Sequence, residues 1–359
     1  MLPDLKLKIK WLFDKSKVDC ILIMNQQIPD PNFFYFTRMS KSDFSHAVLI
    51  LTRKRTILIV PKMEYRLALT QCKKKAIKVV AFETVKDIGK IIRKYTRGKR
   101  IGLNFSRISV NNLKLVKRIL NKIRIVDISK NLVTIRRTKT KEEAKNIYKA
   151  CRIASKVMRE VPNIIRPGMK ERNIAAEIDK KLRLYGADEI AFPTIVVAGR
   201  NSSNPHYTAG DNKIKKGDLI IVDFGCKINN YCSDITRTFI IGKPSCKQAE
   251  MLDTCKKMQE EIVALLKPGT DFENLQKRAN NICEKKYGKL LHMVGHSIGI
   301  EVHDPLGDTK KLEEGEVLAI EPAIYLENIG GVRIEDNFII TSSGCKRLTK
   351  GPMGQIHNK

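Results

Sequence analysis

Three of the chain's six histidines fall in one short stretch, HMVGHSIGIEVHD, running from His292 to Asp304. Clustered imidazoles serve as metal ligands or proton carriers, and the neighbouring segments supply the carboxylates that either task needs. DLIIVDFG ends an apolar run in Asp223, and NYCSDITRTFII carries Asp234 among β-branched residues. The turn-forming GCKINN between them lets two strands pair as a hairpin and bring both acids together. Further on, VLAIEPAIYL embeds Glu321, and GGVRIEDNFIIT embeds Glu335 two residues after Arg333. Carboxylates crowded in a dry interior repel, so some hold protons unless a cation lies between them.

Strand period two puts Arg333 and Glu335 on one face. There the arginine either braces the carboxylate as a donor behind a metal site or pairs with it in a plain internal salt bridge. His296 and His303 are seven residues apart, an odd spacing that sends them to opposite faces of an unbroken strand, although Gly295 and Gly299 permit a turn or bulge. One imidazole then joins the carboxylates while the other faces a substrate. His292 reads as hydrogen-bonded packing. His206, in NSSNPHYTAG, follows a proline and is either a cleft-edge residue or an ordinary surface-loop histidine.

Asp223, Asp234, His296, Glu321 and Glu335 suit a pair of hard or borderline divalent ions, whereas a structural zinc site would favour cysteines in a closed tetrahedron. Two ions sharing bridging carboxylates can hold hydroxide and polarise a carbonyl, which is what hydrolysis of an unreactive amide requires. On its residues alone the chain reads as a dinuclear metal hydrolase with no assigned substrate.

These side chains need elements to position them. CILIMN, HAVLILT, RTILIVP, IKVVAF, IGLNF and RIVDIS are β-branched runs bounded by turns or charges, while ETVKDIGKIIRKY and VNNLKLVKRILNK have helical apolar spacing. They predict an α/β domain over residues 1–134, without a phosphate loop and with His46 and Glu64 isolated. A second domain, 135–359, opens on a helix whose capping box is Thr140 with Glu143 and whose apolar face is Ile147, Cys151, Ala154 and Met158. Within it, RPGMKERNIAAEIDKKLRLYG and KPGTDFENLQKRANNICEKKYG each follow a Pro-Gly break with a second helix, predicting two similar halves packed on a common sheet.

Composition narrows the function classes. The 42% hydrophobic content supports sizeable cores in a 359-residue chain. No apolar run approaches a membrane span, and the charged N-terminus lacks a signal-peptide core, so a cytoplasmic location is expected. Nine scattered cysteines, an odd number, suit reduced structural thiols better than a disulfide framework. The formal charge of +30 is spread along the chain without zinc-finger or aromatic-basic signatures, so no specific nucleic-acid partner is expected and non-specific attraction to polyanions is.

VDFG with YCSDITRT, VGHSIGIEVHD, LAIEPAIYL and GGVRIED, preceded by FPTIVVAGRNSSNPHY, resemble in order the motifs of the pita-bread metallopeptidases. That superfamily holds methionine aminopeptidase, aminopeptidase P, proline dipeptidase and creatinase. The resemblance implies an α/β N-terminal accessory domain plus an α+β pita-bread catalytic domain with internal pseudo-twofold duplication. It also implies that Asp223 is a terminal ligand of one metal, that Asp234 and Glu335 bridge, and that His296 and Glu321 ligate the other. Glu321 further resembles the group that handles the proton of the nucleophilic water, and His206 and His303 the two histidines that contact the substrate carbonyl.

The implied cofactors are two divalent ions per subunit, Mn or Co first, then Zn or Fe. The implied activity is an Xaa-Pro dipeptidase acting as a homodimer on Xaa-Pro dipeptides or short Xaa-Pro peptides. Aminopeptidase P is the alternative and a non-catalytic RNA- or ribosome-binding protein the remote one. Ser297 departs from the common GHGIG pattern, and Gly307 stands near where some archaeal dipeptidases carry an arginine.

Overall fold

The computed structural model describes residues 4–26, 29–39, 44, 46–73, 75–96, 100–120, 123–307 and 310–356. The chain divides into two units, one ending at Arg136 and one starting at Arg137. In the first, the β-branched runs become β1 (Cys20–Met24), β2 (Val48–Thr52), β3 (Thr56–Pro61), β4 (Ile77–Phe82), β5 (Arg100–Leu103) and β6 (Arg124–Asp127). They form one mixed sheet in the order β4-β3-β2-β1-β5-β6. Helices α1 (Leu5–Ser16), α2 (Pro31–Thr37), α3 (Tyr65–Cys72), α4 (Val85–Tyr95) and α5 (Val110–Ile119) accompany it, and α6 (Ser129–Arg137) closes it. Ile92 and Val116 of α4 and α5 pack in one core with Leu22, Ile50, Ile59 and Ile101 of the strands, as expected for helical apolar faces laid on a sheet.

The second unit is built twice. Thr140 caps α7 (Lys141–Ile164) by accepting the Glu143 N–H while the Glu143 carboxylate accepts the Thr140 N–H, the reciprocal box that fixes where the helix starts. After α7, Gly168 takes a left-handed φ of 84° and leads into α8 (Glu171–Leu184). Ser245 caps α9 (Cys246–Leu265) in the same reciprocal way with Gln248, and Gly269, at φ 86°, leads into α10 (Phe272–Tyr287). Gly168 N–H bonds to Ile214 O and Gly269 N–H to Leu312 O, both at 2.8 Å, so the two Pro-Gly turns are seated alike. Glycine suits that backbone because a Cβ there strains it. The pseudo-twofold duplication is thus real at the level of caps, turns and seats.

Each half carries its own sheet. In the first, β8 (Ile195–Ala198), β9 (Leu219–Phe224) and β12 (Ile235–Ile241) lie with the last strand β19 (Gly354–Ile356) in the order β19-β12-β9-β8. The short β7 (Glu189–Ile190), β10 (Cys226–Ile228) and β11 (Tyr231–Cys232) form a separate sheet. In the second half β13 (Gly295–Ser297), β14 (Val317–Ile320), β17 (Asp336–Ile340) and β18 (Cys345–Arg347) form a sheet, with β15 (Ala323–Leu326) and β16 (Gly330–Arg333) as a hairpin beside it. Instead of one common sheet there are separate ones, stitched by a bridge between Thr236 and Glu335 and by Thr238 Oγ1, which donates to Arg333 O at 2.9 Å. The stitch lies where the acids are.

Candidate metal centre

β9 and β12 pair antiparallel with Asp223 opposite Thr236, and Asp234 stands one residue before β12. The two acids therefore end up near each other, although the turn between their strands is itself folded into the small β10-β11 hairpin. From the second half come His296 on β13, Glu321 just after β14 and Glu335 just before β17. β14 pairs with both β13 and β17, so the three lie at one end of one sheet.

His296 Nε2 lies 3.7 Å from Asp234 Oδ2, 3.8 Å from Glu321 Oε1 and 3.7 Å from Glu335 Oε1. These separations exceed hydrogen bonds and suit donor atoms that share a cation between them. Donor atoms of Asp234, His296 and Glu335 all fall within 4.8 Å of one another. Asp223 and Glu321 line the same cleft.

The unpaired atoms make the fit specific. Asp223 Oδ1, Asp234 Oδ1 and Glu335 Oε1 are buried without a hydrogen-bond partner, while the other oxygens of Asp223 and Glu335 are held by Arg333 Nη2 and Thr236 Oγ1, each at 2.6 Å. His296 Nδ1 lies 3.1 Å from Ser297 O, which directs Nε2 at the acids. Burial, then the Glu335 charge, drives the Asp234 carboxyl well above its ordinary range; burial, then Asp223, does the same to Glu335. Glu321 rises to about 8 through burial, with Arg333 opposing and Asp223 adding. Burial, helped by His303, pushes His296 down to about 4, so its ring is neutral and able to ligate. A buried acid cluster short of positive charge, facing a neutral imidazole, is the chemistry of a divalent-cation site.

Arg333 corrects the sequence reading. Its guanidinium binds Asp223 rather than Glu335, with Nη1 donating to Tyr325 OH at 2.8 Å and Nε 3.3 Å from Thr236 Oγ1. The chain breaks from strand geometry at Ile334, between β16 and β17, so the expected two-residue alternation does not apply. His292 is hydrogen-bonded as expected, with Nε2 3.1 Å from Tyr325 OH and Nδ1 2.9 Å from Met293 O, and it also lines the cleft. His296 and His303 meet edge to face at 4.2 Å, because β13 ends at Ser297 and the chain turns back. His206 is exposed and lines the same cleft, its N–H donating to Asn204 Oδ1 at 3.1 Å. Phe192, Ile195, Pro205 and Val302 complete the cleft with an apolar wall; they lie within FPTIVVAGRNSSNPHY and VGHSIGIEVHD, but sequence reasoning assigned them no role.

Residues 145–342 match the metallopeptidase family M24, and residues 7–138 match the creatinase/prolidase N-terminal domain. The chain is 35% identical over 350 residues to the Xaa-Pro dipeptidase of Pyrococcus furiosus, covering 96% of this chain and 97% of that one. Among solved structures, the prolidase from Pyrococcus horikoshii superposes with a TM-score of 0.86 at 34% identity, covering 97% of this chain and 98% of that one. The X-Pro aminopeptidase from Thermotoga maritima superposes with a TM-score of 0.88 at 29% identity, over 99% and 100% of the two chains. The protein belongs to metallopeptidase family M24. It is a metal-dependent peptidase with the accessory and catalytic architecture of these relatives. Among the described residues no helix is long and apolar enough to cross a membrane.

Proposed function

We propose that this peptidase is an Xaa-Pro dipeptidase that cleaves the bond before proline in Xaa-Pro dipeptides and short Xaa-Pro peptides. The full-length likeness to the Xaa-Pro dipeptidase of Pyrococcus furiosus carries this reading. A cleft of about 370 Å³ with acids on its floor and Phe192, Ile195, Pro205 and Val302 on its wall supports it. A proline ring is apolar and fixes its own backbone, so a shaped apolar wall is a rational way to select it.

Asp223, Asp234, His296, Glu321 and Glu335 would hold two divalent ions. Mn or Co suits a carboxylate-rich set, and Zn or Fe is compatible with it. Bound there, the ions supply Lewis acidity to the scissile carbonyl and acidify water. Glu321 receives the proton of the attacking water and delivers it to the departing proline nitrogen, which must be protonated to leave as an amine. His206 and His303 donate to the carbonyl oxygen from the cleft's open side, and Arg333 keeps Asp223 oriented. The enzyme acts as a homodimer in the cytoplasm, and its +30 charge attracts polyanions without sequence selectivity.

Turnover of Ala-Pro and Ala-Pro-Ala at saturating Mn or Co tests the specificity. Faster cleavage of Ala-Pro is expected. Faster cleavage of Ala-Pro-Ala would make the protein an aminopeptidase P, the second reading, which the superposition on the Thermotoga maritima X-Pro aminopeptidase favours. Chelation should abolish activity and Mn or Co restore it; full activity in metal-free protein would end the metal mechanism.

A further inference from the structure

Lys139 stands one residue before the Thr140 cap and is only 1% exposed. Its ammonium donates to Arg137 O at 3.0 Å and lies 3.6 Å from Asp304 Oδ2 and 3.5 Å from Ser297 Oγ. A lysine in a dry interior is tolerated only with polar partners, and Asp304, itself 5% exposed, is a charged one close at hand. Asp304 in turn organises the chain around it: its N–H bonds to Ser297 O at 2.9 Å, and its Oδ1 is 3.4 Å from the Glu301 N–H. Gly299 presses so closely on the pair that an added Cβ would collide with the Asp304 carboxylate and come within 3.3 Å of Lys139 Cε. Residues 297–304 are thus folded onto a buried charge pair.

His303, immediately before Asp304, is its opposite. It is exposed, and among the described residues its ring makes no hydrogen bond; its contact is the edge-to-face one with His296 at 4.2 Å. An imidazole with so little to hold it is placed by its backbone, and that backbone is anchored by the inward-turned Asp304. We propose that Lys139 is a positioning residue that acts through Asp304 to hold His303 in the cleft against His296. The Ser297 hydroxyl offers the ammonium a further polar neighbour where a glycine would offer none. The inference rests on the role given above to His303, and the test separates the two.

The experiment is a double-mutant cycle on kcat and KM for Ala-Pro with metal content measured throughout, using Lys139→Met, His303→Ala and the double variant. Lys139→Met keeps the stem and removes the charge. A misplaced catalytic group costs up to about 10²-fold, so Lys139→Met should lower kcat roughly 10- to 100-fold with KM and metal stoichiometry little changed. In the His303→Ala background it should cost nothing further. Losses that multiply in the double variant would overturn the proposal, because a general weakening of the fold acts in both backgrounds. If Lys139→Met does not fold, Asp304→Asn takes its place in the same cycle with the same expectation. If His303→Ala alone leaves turnover unchanged, the role of His303 fails, and the positioning claim is then read from the His303 ring signal by NMR. A ring signal that moves in Lys139→Met upholds it; an unmoved signal sinks it.

Discussion

Glu335 and Asp336 are sequence neighbours, both buried, in opposite circumstances. Asp336 is fully satisfied: Arg237 Nη2 and Thr349 Oγ1 donate to its Oδ1 at 2.8 Å, and Gln259 Nε2 reaches Oδ2 at 3.4 Å. Arg237, 1% exposed, spends its remaining donors on the carbonyls of Thr236, Glu335 and Gly351. Glu335 has one oxygen on Thr236 and the other bare, and Asp234 and Asp223, lining the same cleft, each have a bare oxygen as well. A buried carboxylate is therefore no sign of a metal by itself. Several of them aimed at one point and left short of donors are, since the fold has kept their lone pairs for a ligand it does not itself contain.

That contrast can be broken from either side. The largest effect belongs to the unsatisfied cluster: Glu321→Gln, assayed on metal-loaded protein, should lose roughly 10²- to 10⁴-fold in kcat. Near-parental turnover with metal in place would move the proton to another group. On the satisfied side, Arg237→Met strands the Asp336 charge and should cost about 3–5 kcal/mol of stability by denaturant unfolding. The protein that remains folded should still take up metal.

Arg333→Lys sits between the two clusters. It keeps the charge but loses the planar fork on Asp223 and Tyr325, so metal affinity or activity should fall on the order of 10- to 100-fold. Equilibrium dialysis of metal beside the assay checks it, and unchanged values would remove Arg333 from the site.

The metal-free protein carries a pH signature of the unsatisfied cluster. Glu321 titrates at about 8 in the fold against an ordinary 4.5, and Asp234 and Glu335 are raised as well. Groups with raised folded-state values stabilise the fold fully below their unfolded values, and that contribution is lost as pH rises through the folded ones. Metal-free Tm should therefore fall between pH 5 and 8. Mn or Co should raise Tm more at pH 8 than at pH 5.5, since at low pH it competes with protons. A metal increment independent of pH would contradict the assignment of these acids. The smallest change is Thr349→Val, which removes one of several donors to Asp336 and should cost about 1 kcal/mol with kcat unaltered.

Local patterns were legible where the chain decides its own conformation. The six β-branched runs of the first unit became its six strands, and the Thr140 and Glu143 box marked a helix start, because propensity and capping act over a few residues. Carboxylates inside apolar strands marked candidate site residues in the sequence, and of these Asp234 and Glu335 come together with His296 as a group able to hold a cation. What Arg333 binds and how His296 meets His303 depended on the break at Ile334 and the turn after Ser297. A side chain's direction alternates predictably only while the strand continues. The sequence by itself determined which residue types had to be buried together and the chemistry they share. Only the tertiary structure decided who partners whom, because β9, β12 and β16 bring Asp223 and Arg333 into contact across 110 residues, and no local rule encodes a register between separate sheets.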